Sequence, residues 1–205
     1  MYRRSVGADD ETQLFASSQD MYVRTIVPTS AGFVISVLPK RVGSSFDLMR
    51  LGGDGAVTPF VQTLDNEVNA AVSGDGQWVA YESDALSQWN VYVKAAAGAN
   101  PPTRITQTGG RQPRWRKDGR ELYYLTPDLH IASVNIDTTR DPVSVGDTTE
   151  LFRYPSNIDW HSILRALYPV FDVTGDGQYF VVRVETDIPK PLVLIQNWPA
   201  LIKRR

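Results

Sequence analysis

Cysteine is absent from the 205 residues, and only two histidines, His130 and His161, are present. The first absence excludes disulfides, thiolate metal sites and a cysteine nucleophile. The two histidines are not spaced as ligands on one element, so neither a metal site nor a cofactor is expected. Long apolar runs are missing as well. Stretches such as Pro191 to Ile195 and Phe180 to Val182 fall far short of the ~20 residues that span a bilayer, and residues 1–20 have no signal-peptide core, so this chain is not expected to insert into a membrane. Neither sign of charge dominates: 21 basic and 23 acidic residues are scattered to a net −2. Without a basic stripe to release counterions, nucleic acid is not an expected partner. The cluster Lys203, Arg204 and Arg205 reads as a solvated tail.

Catalytic patterns are equally scarce. A kinase needs a Gly-rich phosphate loop, a strand lysine and an H-R-D-type catalytic loop, and none occurs. The run Val42-Gly43-Ser44-Ser45-Phe46 does not fit the G-x-S-x-G turn that presents a hydrolase serine. No catalytic residue is therefore assigned, and the chain is not expected to be an enzyme by itself. Helix is scarce too, because no window of eleven or more residues keeps an i, i+3, i+4, i+7 apolar pattern free of Gly or Pro. The exception is Trp160 to Leu167, read as one helical turn inside a loop insertion over 154–167.

What the chain does hold is a repeat, and 42% hydrophobic residues are enough to give it a core. Thr12, Thr58, Thr103 and Thr149 lead the stretches TQLF, TPFV, TRIT and TELF, at steps of 46, 45 and 46 residues. Each suits a short strand. Between these marks an apolar stretch meets an Asp-Gly pair and a strand rich in aromatic and branched residues follows: VSGDGQWVAYES from Val72, WRKDGRELYYL from Trp115 and VTGDGQYFVVRV from Val173. Asp75-Gly76, Asp118-Gly119 and Asp176-Gly177 read as hairpin turns in which Gly takes positive φ and Asp tolerates the left-handed region. An earlier copy from Val27 carries Ser30-Ala31-Gly32 instead, which predicts a different turn type. Third strands follow at 46–51, 89–95, 129–136 and 191–198, with 1–6 as the corresponding opening stretch.

Repeated four-stranded units of ~40–45 residues are the pattern of propeller blades. The expected fold is all-β: a β-propeller of four-stranded antiparallel blades, about four in number, plus a partial N-terminal one. The expected divisions are a partial blade at 1–17, blades at 18–63, 64–108 and 109–153, the insertion at 154–167, a last blade at 168–198 and a tail at 199–205.

Trp78, Trp115, Tyr123, Tyr124, Tyr179 and Phe180 recur beside the hairpin turns and read as blade core, with Trp89, Trp160 and Trp198 outside that pattern. Asp172, Asp176 and the Asp54-Gly55 pair read as turns rather than a calcium loop, which needs a denser ligand series ending in a bidentate Glu. Asp147 and Glu150 read as solvated loop charges. Two places remain for a ligand or partner. One is Trp160 beside His161 on the insertion, since long exposed loops carry function. The other is the rim of the central channel, where Glu67, Asn69, Arg111, Gln112 and Arg114, read as just preceding the innermost strands, converge from successive blades. Arg111 and Arg114 would favour an acidic group there, unless the five satisfy one another.

The stretches SGDGQWVAYES, GGRQPRWRKDGRELYYL at 109–125 and LVLIQNWPALIKRR at 192–205 resemble the TolB-type, WD-repeat-like propeller repeat, in particular propellers at the C-terminal end of bacterial serine/threonine protein kinases. The likeness covers nearly the whole chain. It is specific for the fold and nearly silent on function, and with no catalytic pattern in the chain the expected role is a module that binds a protein, peptide or small ligand. The resemblance implies an extracytoplasmic or periplasmic setting and attachment to a kinase. A prolyl-oligopeptidase-like peptidase with its catalytic half elsewhere is the alternative parent. Because such propellers usually have six or more blades and this chain opens mid-blade, the resemblance implies a fragment of a longer protein, with self-association through open blade faces expected.

Overall fold

A computed structural model describes residues 2–4, 11–13, 21–40, 43–155, 169–184 and 193–195. Among them no helix occurs, and the strands form five antiparallel sheets in chain order. The first has two strands, β1 (Tyr2–Arg4) and β2 (Glu11–Gln13). Three sheets of four follow, each a simple meander: β3 (Met21–Thr29), β4 (Gly32–Pro39), β5 (Asp47–Leu51) and β6 (Val57–Val61); β7 (Glu67–Val72), β8 (Trp78–Ser83), β9 (Asn90–Ala95) and β10 (Thr103–Arg104); β11 (Arg111–Trp115), β12 (Glu121–Leu125), β13 (His130–Asp137) and β14 (Ser144–Arg153). The last holds β15 (Phe171–Val173), β16 (Phe180–Val182) and β17 (Val193–Ile195). Thr58, Thr103 and Thr149 each fall in the fourth strand of their sheet, and Thr12 falls in the second strand of the two-stranded one. The sheets are propeller blades, and the chain is all-β.

The blade arrangement explains the composition of the middle strands. In β12, Leu122 and Tyr124 pack toward the second four-stranded sheet, while Tyr123 and Leu125 pack toward the last sheet. In β8, Trp78 and Ala80 face one way and Val79 and Tyr81 the other. A strand covered on both faces cannot alternate apolar with polar, so ELYYL and WVAYES read as near-continuous apolar runs. Each such side chain withdrawn from water contributes about 1.5–3 kcal/mol. Polar ties cross the same gaps: Trp115 donates its indole N–H to the Ala71 carbonyl at 3.2 Å, and the Tyr154 hydroxyl donates to the Val170 carbonyl at 2.9 Å. Tyr179, expected in the core, is instead 38% exposed, because its neighbour Phe180 takes the inward position on β16.

Gly76, Gly119 and Gly177 have φ of +75°, +70° and +75°. The turns are not two-residue Asp-Gly turns, however. The N–H of each glycine donates to the carbonyl of Ser73, Arg116 or Thr174, so the Asp occupies the third place of a four-residue turn and the Gly the fourth. Asp75 and Asp176 use Oδ1 to accept the N–H of Gln77 and Gln178 at 3.0 Å, and Asp118 accepts that of Arg120 at 3.1 Å. Aspartate is there for its side-chain acceptor. In these three turns the left-handed conformation belongs to the glycine and not to the aspartate.

First strands of successive sheets meet: β3 with β7, β7 with β11 and β11 with β15. They are the innermost strands, and their side chains gather on one axis.

Candidate functional site

The axial cluster is created by a defect repeated in two neighbouring blades. In β7 the register shifts between Val68 and Ala71, and in β11 between Arg111 and Arg114. Asn69 and Gln112 sit at these bulges with φ of +54° and +59°. Asparagine visits that region readily, glutamine much less so, and such strain persists only where surrounding contacts hold it. A bulge re-aims a strand's groups. Here it turns the Asn69 side-chain amide and the Gln112 backbone N–H toward Glu82 on β8.

Glu82 is fully buried. Its Oε1 accepts from Asn69 Nδ2 at 2.6 Å and from the Gln112 N–H at 2.7 Å, and its Oε2 takes Nε and a terminal nitrogen of Arg111, each at 2.5 Å. The Arg111 guanidinium, 1% exposed, lies 4.2 Å from the centroid of the Trp89 ring. Two blades are thus locked by a buried ion pair whose carboxylate oxygens both meet donors, the condition under which such a pair is tolerable. Trp89 lies inside this arrangement rather than apart from it.

Two more arginines feel the same carboxylate. Arg24, on β3, stacks 5.4 Å from the centre of the Phe46 ring. Burial holds its guanidinium below the ordinary value, with Glu82 opposing the fall and Arg111 adding to it. Arg114, on β11, is likewise lowered by burial, with Asp172 and Glu82 opposing. Its only ion pair among the described residues is a loose one, 3.5 Å to Asp172 Oδ1, and the Asp172 side chain is 73% exposed. Arg111 thus contacts the buried carboxylate directly, and the guanidiniums of Arg24 and Arg114 lie in its field.

Glu67 is turned elsewhere. Its backbone N–H donates to the Phe46 carbonyl, and Oε1 accepts the Thr63 hydroxyl at 2.6 Å and the Ser83 hydroxyl at 3.4 Å, while buried Oε2 has no hydrogen bond among the described residues. Burial raises its pKa to about 7; the Thr63 hydrogen bond works against the rise and the nearby Asp47 adds to it.

Of the seven residues singled out from the sequence, Glu67, Asn69, Arg111, Gln112 and Arg114 lie within the innermost strands β7 and β11, not ahead of them as expected. Asn69, Arg111 and Gln112 converge on Glu82, Glu67 does not, and Arg114 keeps partial access to solvent. Trp160 and His161 lie outside the described residues. Sequence reasoning missed Glu82, Trp89 and Arg24. A signal for Glu82 exists: it is the lone carboxylate in the apolar strand WVAYES, and a charge buried on both sides demands a partner.

No known family's sequence pattern matches the chain, and no curated protein is similar to it in sequence. Among solved structures it is similar to Kuenenia stuttgartiensis hydrazine synthase, with a TM-score of 0.55 and 11% identity over 91% of this chain and 61% of that one. A prolyl endopeptidase structure gives a TM-score of 0.49 with 16% identity over 80% of this chain and 26% of that one. A putative TolB from Agrobacterium tumefaciens gives 0.38 with 16% identity, covering 73% and 74%. The chain spans less than two thirds of the first two.

Proposed function

We propose that this chain is a non-catalytic propeller module that binds a protein or peptide through an acidic group offered to its axial arginines. The observation that supports the reading is Arg114 on the innermost strand β11: its guanidinium is held below the ordinary value by burial, and its ion pair among the described residues is a loose one with exposed Asp172. Arg111 is committed to Glu82 and Trp89. Arg114 is the contact residue, because a charge-assisted hydrogen bond closes to about 2.7–2.9 Å whereas its pair with exposed Asp172 stands at 3.5 Å. An incoming carboxylate displaces Asp172 and relieves the cost of holding a half-buried guanidinium. In a longer protein such a module would serve as the sensor of an attached enzyme, a serine/threonine kinase being the parent that the repeat's resemblance implies.

The test is fluorescence anisotropy with labelled hexaglutamate, and with hexaglutamine as the uncharged control. Saturable binding of the acidic peptide alone is expected, weakened roughly tenfold or more by Arg114→Gln and strengthened by Asp172→Asn. Equal affinity for both peptides, or indifference to Arg114→Gln, would overturn the reading.

A further inference from the structure

A second set of chemically competent side chains meets at the outer side of the blade formed by β11 to β14, away from the axis. Asp128 lies in the turn before β13, His130 opens β13, and Glu150 lies near the end of β14. Asp147 and Glu150 are both strand residues, not the loop charges expected from the sequence.

Glu150 reaches His130 because of a bulge. His130 pairs with Arg153 and Ile131 with Phe152, but Ala132 pairs with Glu150, leaving Leu151 as the extra residue. An unbroken ladder would set Leu151 opposite Ala132 and send Glu150 to the other face. With the bulge, Leu151 joins Phe152 in the apolar layer against the last sheet, and Glu150 shares a face with Ala132 and His130. Asp128 is positioned independently. The Thr126 hydroxyl donates to its Oδ1 at 2.6 Å, which leaves Oδ2 facing His130 Nδ1 at 3.1 Å.

The ligand atoms of Asp128, His130 and Glu150 all lie within 4.8 Å of one another. Two donors on one ion at ~2.1 Å stand roughly 3.0 Å apart at a right angle and roughly 3.4 Å apart at the tetrahedral angle, and the Asp128–His130 separation falls between. Two carboxylates and an imidazole balance a divalent charge. The imidazole favours a first-row transition ion over calcium or magnesium. Thr126 is the outer partner that fixes a ligand's orientation, as metal-ligating carboxylates require. Asp128 and Glu150 are exposed, so an ion can enter and complete its shell with water.

We propose that Asp128, His130 and Glu150 form a binding site for a divalent cation of the zinc class. Exposed Arg153, the cross-strand neighbour of His130, sits at its edge. The composition makes the test clean: with no cysteine and two histidines, imidazole-dependent zinc binding can come only from His130 or His161. Titration calorimetry of the whole chain with zinc chloride, paralleled by cobalt(II) absorption, should give one saturable equivalent. His130→Ala, Glu150→Gln and Asp128→Asn should each weaken it about 10–100-fold, with unchanged circular dichroism, and His161→Ala should leave it intact. The last two of the three weakening substitutions preserve side-chain shape, so loss of fold and loss of ligand are told apart. Absence of saturable binding, or binding that survives His130→Ala, would overturn the proposal.

Discussion

A carboxylate without solvent is stable when its oxygens find donors, and the two glutamates buried among the described residues differ on that point. Glu82 meets four donor nitrogens from three residues. Glu67 meets two hydroxyls, and its Oε2 meets no donor among the described residues. The consequence is a pH dependence with a definite sign. With the pKa raised from 4.5 to about 7, the folded state holds the Glu67 proton through a range in which the unfolded chain has lost it. Stability from this group therefore falls as pH rises from about 4.5 to about 7 and stays low above. Glu67→Gln mimics the protonated form and keeps the Thr63 contact, so it should stabilise the fold at pH 8 by an amount on the order of 1–3 kcal/mol. The gain should fade below pH 5. Urea unfolding of both proteins across that range is the check, and a gain that grows toward acid pH would contradict the assignment.

At the scale of the element, hairpins were legible in the sequence and bulges were not. Asp-Gly announces a turn because an acceptor side chain and a positive φ are properties of those two residue types. The bulges at Asn69 and Gln112 lie in EVNAAV and RQPRW, which share no marker, and nothing local asks a glutamine to take φ of +59°. Their cause is tertiary, the demand of Glu82 for donors. The three turns also differ in a way their sequences hide. A Cβ added at Gly119 would come no closer than 3.7 Å to Ser73, whereas one at Gly76 would stand 2.8 Å from the Ser30 backbone nitrogen, which donates to the Gly76 carbonyl across the blade gap. Gly119→Ala should thus cost only the left-handed strain, ~1 kcal/mol. Gly76→Ala should cost about 2 kcal/mol or more, since the neighbouring blade must shift. Comparison of denaturation midpoints decides it, and equal costs would mean that the contact between turns carries no load.

For the whole molecule, blade architecture follows from a repeat visible along the chain, because each sheet is built from consecutive residues. The axial cluster is assembled across sheets, with Arg24 from one blade, Glu82 from the next and Arg111 and Arg114 from a third. The repeat was enough to bring Asn69, Arg111, Gln112 and Arg114 toward the axis, but no spacing in the sequence encodes their meeting with Glu82 and Arg24. The same holds for Asp128, His130 and Glu150, which a single extra residue in β14 brings to one face. The central functional claim is that Arg114 takes the acidic group of a partner. The most direct measurement is the side-chain Nε–Hε nuclear magnetic resonance signal of Arg114, assigned by its loss in Arg114→Lys and followed during addition of hexaglutamate. A saturable shift of that signal is predicted, while that of Arg140, 67% exposed and paired with Asp137, stays in place. An unmoved Arg114 signal, or one that shifts no more than that of Arg140, would contradict the account.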